Sequence, residues 1–220
     1  MNKWYNGIKI YILGWWPVKP GDLKGGIIMQ GALTPVEFAY RLPKYYEEYT
    51  KSKYFPAWVT LEKRLTKKAA EAGYISLSDL VEIARWGGNQ YNRAGKVWRE
   101  NTEEEVIAKT RHAVRNLDNP RIALEALLKI KQWGLTYASK TLRAISPQNY
   151  AALDSLLGKH IDECYLSETN VYELYVQFLR LCDQIRDNVS AGGPRKDMSW
   201  FLADVEMALF QFVWDGGEIV

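Results

Sequence analysis

The chain has 220 residues and a mass of 25.4 kDa, the size of one domain or of one domain with a small subdomain. Hydrophobic residues make up 47% and charged residues 25%, ordinary values that exclude disordered and fibrous classes. A net charge of +3 and an isoelectric point of 8.7 permit nucleic-acid binding without demanding it.

Two cysteines, Cys164 and Cys182, are too few for a disulfide framework or a four-cysteine zinc site. Two histidines, His112 and His160, leave little for a histidine metal centre, so neither a metal nor another cofactor is expected. No apolar run approaches the ~18 residues of a membrane span, and no membrane partner is expected. The chain is rich in large aromatics, with nine Trp and fourteen Tyr. They serve cores first, but they also stack on bases.

Residues Ile8 to Trp16 look apolar, but Lys9 interrupts them and no small-residue cleavage site follows. A cytoplasmic location with reduced cysteines is therefore the expectation. Residues 1–33 read as an irregular lead, with a short strand near Lys9–Leu13 and a Pro/Gly-rich loop from Pro17 to Gly26. The rest of the chain, a single domain over 1–220, reads as all-α.

Thr34 opens the first helix, with Pro35 at a favourable first position and Glu37 at capping-box spacing. Pro56 opens a second helix that ends on Gly73, and Ser76 caps a third that stops at Gly87-Gly88. The stretch from Asn89 to Asn101 reads as a loop or a broken helix. Thr102 and Glu105 form a capping box for a helix to about Leu117. Asn119-Pro120 breaks the chain before a helix from about Arg121 to Lys131. Trp133-Gly134 then turns into a helix through Ile145. Ser146, as N-cap with Pro147 after it, is expected to start another helix. Helices near Glu168–Asn188 and Ser199–Val213 finish the chain. The last is apolar on several sides and suits either the core or a dimer interface.

The segment from Arg121 to Leu157 is the most informative. An apolar helix (Ile122, Leu124, Leu127, Leu128, Ile130) meets the turn Gln132-Trp133-Gly134-Leu135. A small-residue helix follows, with Ala138 and Ser139 facing back. The start of that second helix offers orphan amides and a dipole that favour an anion. Arg121, Lys129, Lys131, Lys140 and Arg143 lie around it, against Glu125 alone. Phosphate contacts of this kind give affinity without sequence information. A second segment, Arg85 to Arg99, interleaves aromatics with four cations and no acid, as a nucleic-acid groove requires. Arg93 and Lys96 are its backbone-contact candidates. Tyr91 and Trp98 are its candidates for stacking on an extruded base.

The segment from Ile130 to Ala138 resembles the helix-hairpin-helix element of the DNA glycosylases related to endonuclease III. That family's pattern is Leu-Pro-Gly-Val-Gly-x-Lys-x-Ala, followed by a short helix and a loop ending in Val-Asp. Gly134 matches the second hairpin glycine and Ala138 the alanine. Asp154, in Tyr150-Ala151-Ala152-Leu153-Asp154, falls where the family carries its catalytic aspartate. The resemblance covers about a sixth of the chain. It departs at two positions: Gln132 replaces the first hairpin glycine, and Thr136 stands where bifunctional members carry the Schiff-base lysine. A threonine hydroxyl cannot form an imine with a sugar carbon.

The resemblance implies a monofunctional DNA N-glycosylase, without lyase activity through Thr136. It would extrude a base and use Asp154 to stabilise positive charge or activate water at C1′. Lys131, Gln132, Trp133, Gly134, Leu135, Thr136 and Lys140 would contact duplex DNA. Lys140, one turn beyond Thr136, is read first as a phosphate contact or a solvated residue. Gly134 is expected to take a positive φ, and Trp133 to be either a DNA wedge or a packed aromatic. Asp154 has an alternative role as a helix cap. His160 and Cys164, at i and i+4 around Asp162, lack a further ligand pair. The competing functional readings are a non-catalytic DNA binder and a helical protein-interaction domain.

Overall fold

The structure, a computed structural model, describes residues 33–87, 92–161 and 171–218, together with the backbone of a small antiparallel ladder, Trp4–Tyr5 against Ile8–Lys9. The ladder includes Lys9 of the expected strand. The remainder of that strand lies outside the described residues, as do Tyr91, Asp162 and Cys164. Beyond the ladder, and a bridge in which the Leu33 N–H donates to the Glu218 carbonyl at 2.8 Å, the regular structure is helical. The all-α reading holds.

Local signals start and stop most of these helices. α1 (Pro35–Thr50) begins on a reciprocal cap, in which the Glu37 amide donates to the Thr34 hydroxyl at 3.3 Å and the Thr34 amide to the Glu37 carboxylate at 2.8 Å. α2 (Phe55–Ala72) ends on Gly73, whose φ of 73° is the left-handed geometry that glycine adopts without strain. α3 (Leu77–Trp86) and α5 (Glu103–Arg115) carry capping boxes from Ser76 and Thr102. α6 (Pro120–Leu128) starts from the Asn119 side chain. α7 (Leu135–Ile145), α8 (Ser155–Ile161), α9 (Val171–Asp187) and α10 (Leu202–Trp214) follow.

Four elements differ from the sequence reading, each for a tertiary reason. α1 continues through Pro43, which lacks the helical N–H, because Leu42 before it and Tyr45 after it are both buried. Asn92–Glu100 forms a true helix, α4, whose Ala94 and Val97 enter the core. α6 stops at Leu128, short of Lys131. The helix expected from Ser146 is a single turn over 147–149, followed by extended, buried chain. That chain is held from three sides: Tyr150 Oη donates to the Leu117 carbonyl at 2.8 Å, Tyr175 Oη to the Ala151 carbonyl at 2.9 Å, and the Leu153 amide to Ser139 Oγ at 3.0 Å.

α10 packs on α1 and α9, α2 on α7, and α6 on both α5 and α7. Their apolar faces form one cluster running from Leu33 to Val213. Phe38, Tyr45 and Phe212 tie α1 to α10, with the Phe212 ring centroid 5.1 Å from each of the others. Each such buried side chain contributes about 1.5–3 kcal/mol of transfer free energy. The tenth helix is therefore a core element, the first of its two readings.

Candidate functional site

Residues 129–134 connect α6 to α7, and their backbone corrects one expectation. Gly134 is extended, with φ −75° and ψ 179°. The left-handed position is Gln132, with φ 64°. Gln132 stands where the resembled pattern has its first hairpin glycine. An L side chain there carries a steric cost.

α4 surrounds this turn. Asn101, buried just past the end of α4, accepts from the Lys131 amide at 3.0 Å and donates to the Lys131 carbonyl at 3.0 Å. Arg93 Nη1 donates to the Gln132 carbonyl at 3.1 Å, and Gln132 Nε2 donates to Glu100 Oε2 at 2.9 Å. The two segments singled out in the sequence thus meet. Gly134 has no side chain with which to cap α7, so the first amides of that helix are left to another acceptor.

The remaining interface candidates divide. Lys96, Lys131 and Gly134 are exposed, and Leu135 and Thr136 are half-buried. Trp98 is 55% exposed on α4. Trp133 points inward: it is 2% exposed and its indole N–H donates to Thr141 Oγ1 at 3.1 Å. That corrects the wedge reading, because an indole locked between the helices has no face to offer a base. Arg143, counted in the basic ring, is 1% exposed and belongs to the interior. Lys129 and Arg121 are surface cations paired with Glu125 at 2.8 Å and Glu173 at 3.2 Å.

Asp154 sits at the start of α8, where its Oδ1 accepts from the Leu156 amide at 2.9 Å and the Leu157 amide at 3.0 Å. Ser139 of α7 clips the preceding residue by both backbone groups, accepting from the Leu153 amide at 3.0 Å and donating to its carbonyl at 3.3 Å. This clip brings the Asp154 loop onto α7 beside Lys140.

Lys140 is half-buried, and its charged end lies against two aromatic rings. Its Nζ lies 5.5 Å from the Trp86 ring centroid and 5.9 Å from that of Tyr137. A Cβ on Gly87 would stand 3.4 Å from it, an ordinary van der Waals contact. Burial pushes the amine's pKa below its ordinary value. Asp154 and then Glu206 pull it back up, and Arg143 opposes them.

Deeper in lies a cluster of charge. Arg143 Nη1 is 2.6 Å from Glu206 Oε2 on α10, and its Nε is 3.9 Å from Glu62 on α2. The first contact is a close ion pair without hydrogen-bond alignment: Glu206 Oε2, and Nε and Nη2 of Arg143, have no hydrogen-bond partner among the described residues. Trp86 Nε1 is likewise buried without a partner. Arg195 grips Asp204 through two bonds of 2.9 and 2.6 Å and reaches Glu62 at 3.5 Å. Burial pushes the Glu206 carboxyl up to about 7, Arg143 only partly offsetting it, and Asp154 adds to the rise. The cluster therefore offers an amine with a lowered pKa and one carboxyl, that of Glu206, able to take or return a proton near neutrality.

Asn101 and Glu206 had no assigned role in the sequence reading, Ser139 was read only as a small packing residue, and Trp86 only as one aromatic of the Arg85–Arg99 segment. Each left a small signal, clearest in Glu206, an acid in the middle of an apolar helix. Among the described residues no three His, Cys, Asp or Glu side chains are placed to hold a metal ion, and no helix is long and apolar enough to cross a membrane. A surface recess between α5 and α6, lined by Lys109, His112 and Lys129 with Ala108 and Ala126, includes neither Asp154 nor Lys140. Comparison with protein-family models, with curated proteins and with solved structures finds no match for this chain.

Proposed function

We propose that this chain is a DNA-binding protein of the base-excision type, in which the 131–136 turn meets the duplex backbone and Lys140 and Asp154 act at the sugar of an extruded nucleotide. One observation carries the reading: the amine of half-buried Lys140 stands 5.5 Å from the Trp86 ring centroid and 5.9 Å from that of Tyr137, and Asp154 is the anion acting on it most strongly. A desolvated lysine with a depressed pKa is an activated nucleophile. This reading departs from the monofunctional expectation, since Lys140 supplies from the next turn the amine that Thr136 lacks.

The chemistry balances simply. The neutral amine forms a bond to C1′ as the C1′–N bond to the base breaks, and the base leaves with a proton. Asp154 stabilises the positive charge that develops at C1′ and then on the nitrogen. Ring opening gives an imine to Lys140, which borohydride reduces to a stable amine.

The test is borohydride trapping on a duplex containing an abasic site. Wild-type protein is expected to form a covalent adduct, Lys140→Gln to form none, and Asp154→Asn to form it at least about tenfold more slowly. Salt-sensitive duplex binding without any adduct would leave a non-catalytic binder. That second reading has support of its own, because Asp154 Oδ1 already caps α8. Absence of duplex binding at low salt would remove both.

A further inference from the structure

We propose that Asn101 and Arg93 are positioning residues that do for the 131–134 turn what a glycine would otherwise do: they hold Gln132 in the left-handed conformation that presents the start of α7. The inference rests on the reading that this turn meets DNA.

The argument begins with the backbone. A φ of 64° is open to glycine but costly for glutamine. A turn that must hold it therefore needs bonds that the relaxed alternatives would lose. Those bonds come from one element. Asn101 is buried, and its amide group is fully engaged: Oδ1 takes the Lys131 amide, and Nδ2 serves both the Lys131 carbonyl at 3.0 Å and the Val97 carbonyl at 3.0 Å. It fixes the residue before the strained one and ties it to the last turn of α4.

Arg93 fixes the next peptide. Its Nη1 takes the Gln132 carbonyl at 3.1 Å, and its guanidinium lies 5.6 Å from the Tyr137 ring centroid, on the first turn of α7. Gln132 adds a side-chain bond to Glu100 that glycine could not make. Four contacts from α4 and its C-terminal end thus converge on two consecutive turn residues. The amides of Ile130 and Trp133, on either side, are satisfied locally by the Leu127 and Ile130 carbonyls. Releasing the clamp would let Gln132 relax to negative φ and swing Gly134 and the start of α7 away from their present aim. Arg93 on this view holds the turn from behind and does not itself bind phosphate.

The test is a double-mutant cycle that restores the missing glycine. Asn101→Ala should weaken binding to a 20-base-pair duplex carrying an abasic-site analogue by about tenfold in the natural Gln132 chain, the loss expected when buried hydrogen bonds are removed. In the Gln132→Gly background the same substitution should cost less than about threefold, because glycine needs no clamp. Arg93→Gln, which removes only the outer contact, is the milder second variant and should follow the same pattern. A merely structural role for Asn101 would give equal losses in both backgrounds, and that result overturns the proposal. If the wild-type protein binds no duplex, the DNA reading falls separately. The clamp is then judged from the thermal midpoint: a smaller drop for Asn101→Ala in the Gln132→Gly background sustains it, and equal drops refute it.

Discussion

Asp79 and Glu206 are both acids almost closed off from water, 2% and 4% exposed, and they behave in opposite ways. Burial pushes the Asp79 carboxyl up, but bonds from Lys68, Ser76 and Arg64 more than reverse this and hold it below the usual carboxylate range. Its two oxygens accept from Arg64 at 2.8 Å, from the Ser76 amide at 2.8 Å and from Ser76 Oγ at 2.6 Å, besides Lys68. Glu206 is also buried, but it has one unaligned cation, with Glu62 and Asp154 among the anions acting on it, and burial wins. The lesson is that ionisation in this fold follows the number of aligned donors and not the depth. Asp79 is a finished structural device at the head of α3. Glu206 is left unfinished, and it lies in the cluster that acts on Lys140. Unsatisfied buried groups concentrate where chemistry is needed.

The largest expected effect comes from removing the cation on which the unfinished side depends. Arg143→Met leaves Glu206 in the interior without the cation that touches it, while Glu62 keeps Arg195 at 3.5 Å, and breaking a buried pair from one end costs about 3–5 kcal/mol. Urea unfolding at pH 8 should show this loss, and the loss should shrink at pH 5, where Glu206 takes up a proton. A loss under about 1 kcal/mol at pH 8 would mean that water already reaches the cluster.

The next effect separates the two acids by sign. Because the folded-state pKa of Glu206 is raised from 4.5 to about 7, the folded protein holds a proton that the unfolded chain releases. Stability therefore falls as pH rises between these values, by roughly 3–4 kcal/mol in all, and the penalty is complete above the upper one. Asp79 works the other way. Its contribution is present above the ordinary aspartate pKa of 3.8 and is lost as pH falls through its lowered folded value. Unfolding measured from pH 3 to pH 8 should show Glu206→Gln flattening the near-neutral slope and Asp79→Asn flattening only the acid limb. Matching slopes in the two variants would break the contrast.

Asp79→Ala should cost less than the Arg143 change, about 1–2 kcal/mol, because the cations it abandons can turn to water. Arg64 is 44% exposed and keeps Glu82 at 2.6 Å. The measurement is the denaturation midpoint at neutral pH.

The same contrast explains what the sequence could reveal. The Ser76 cap was legible, because an N-cap is a pattern of near neighbours; the Arg64 and Lys68 contacts on Asp79, from 15 and 11 residues away, were not. The starts of α1, α3, α5 and α6 were readable for that reason, as was the stop at Gly73. Features set by distant contacts were not. Gly134 was expected to be the left-handed residue, but the bonds that place Gln132 there come from α4, some thirty residues earlier. Trp133 could be read as either a wedge or a packed aromatic, and Arg143 looks like a surface group in a basic segment; only the packing of α2 on α7 shows that the guanidinium lies over Trp58, 4.6 Å from its centroid. The helix-cap role of Asp154 was readable as the alternative to a catalytic one. Its neighbourhood with Lys140 was not, because Ser139, which makes it, looks like any small residue in a helix.

The smallest effect gives the strictest check on the comparison. Lys68→Met removes one of the two cations on Asp79 and one bond to Ser76 Oγ. If aligned donors are what keep Asp79 ionised, the remaining set suffices: Arg64 holds Oδ1, and the Ser76 amide and hydroxyl hold Oδ2. Lys68 is itself partly exposed, so its charge is screened and its release to water costs little. The change in unfolding free energy should then be about 0.5 kcal/mol or less. A cost comparable with that of Arg143→Met would show that Asp79 also hangs on a single charge, and that donor number does not divide the two acids. A small cost beside a large one for Arg143 ties the difference to redundancy, which the cap of α3 has and the cluster beside Lys140 lacks.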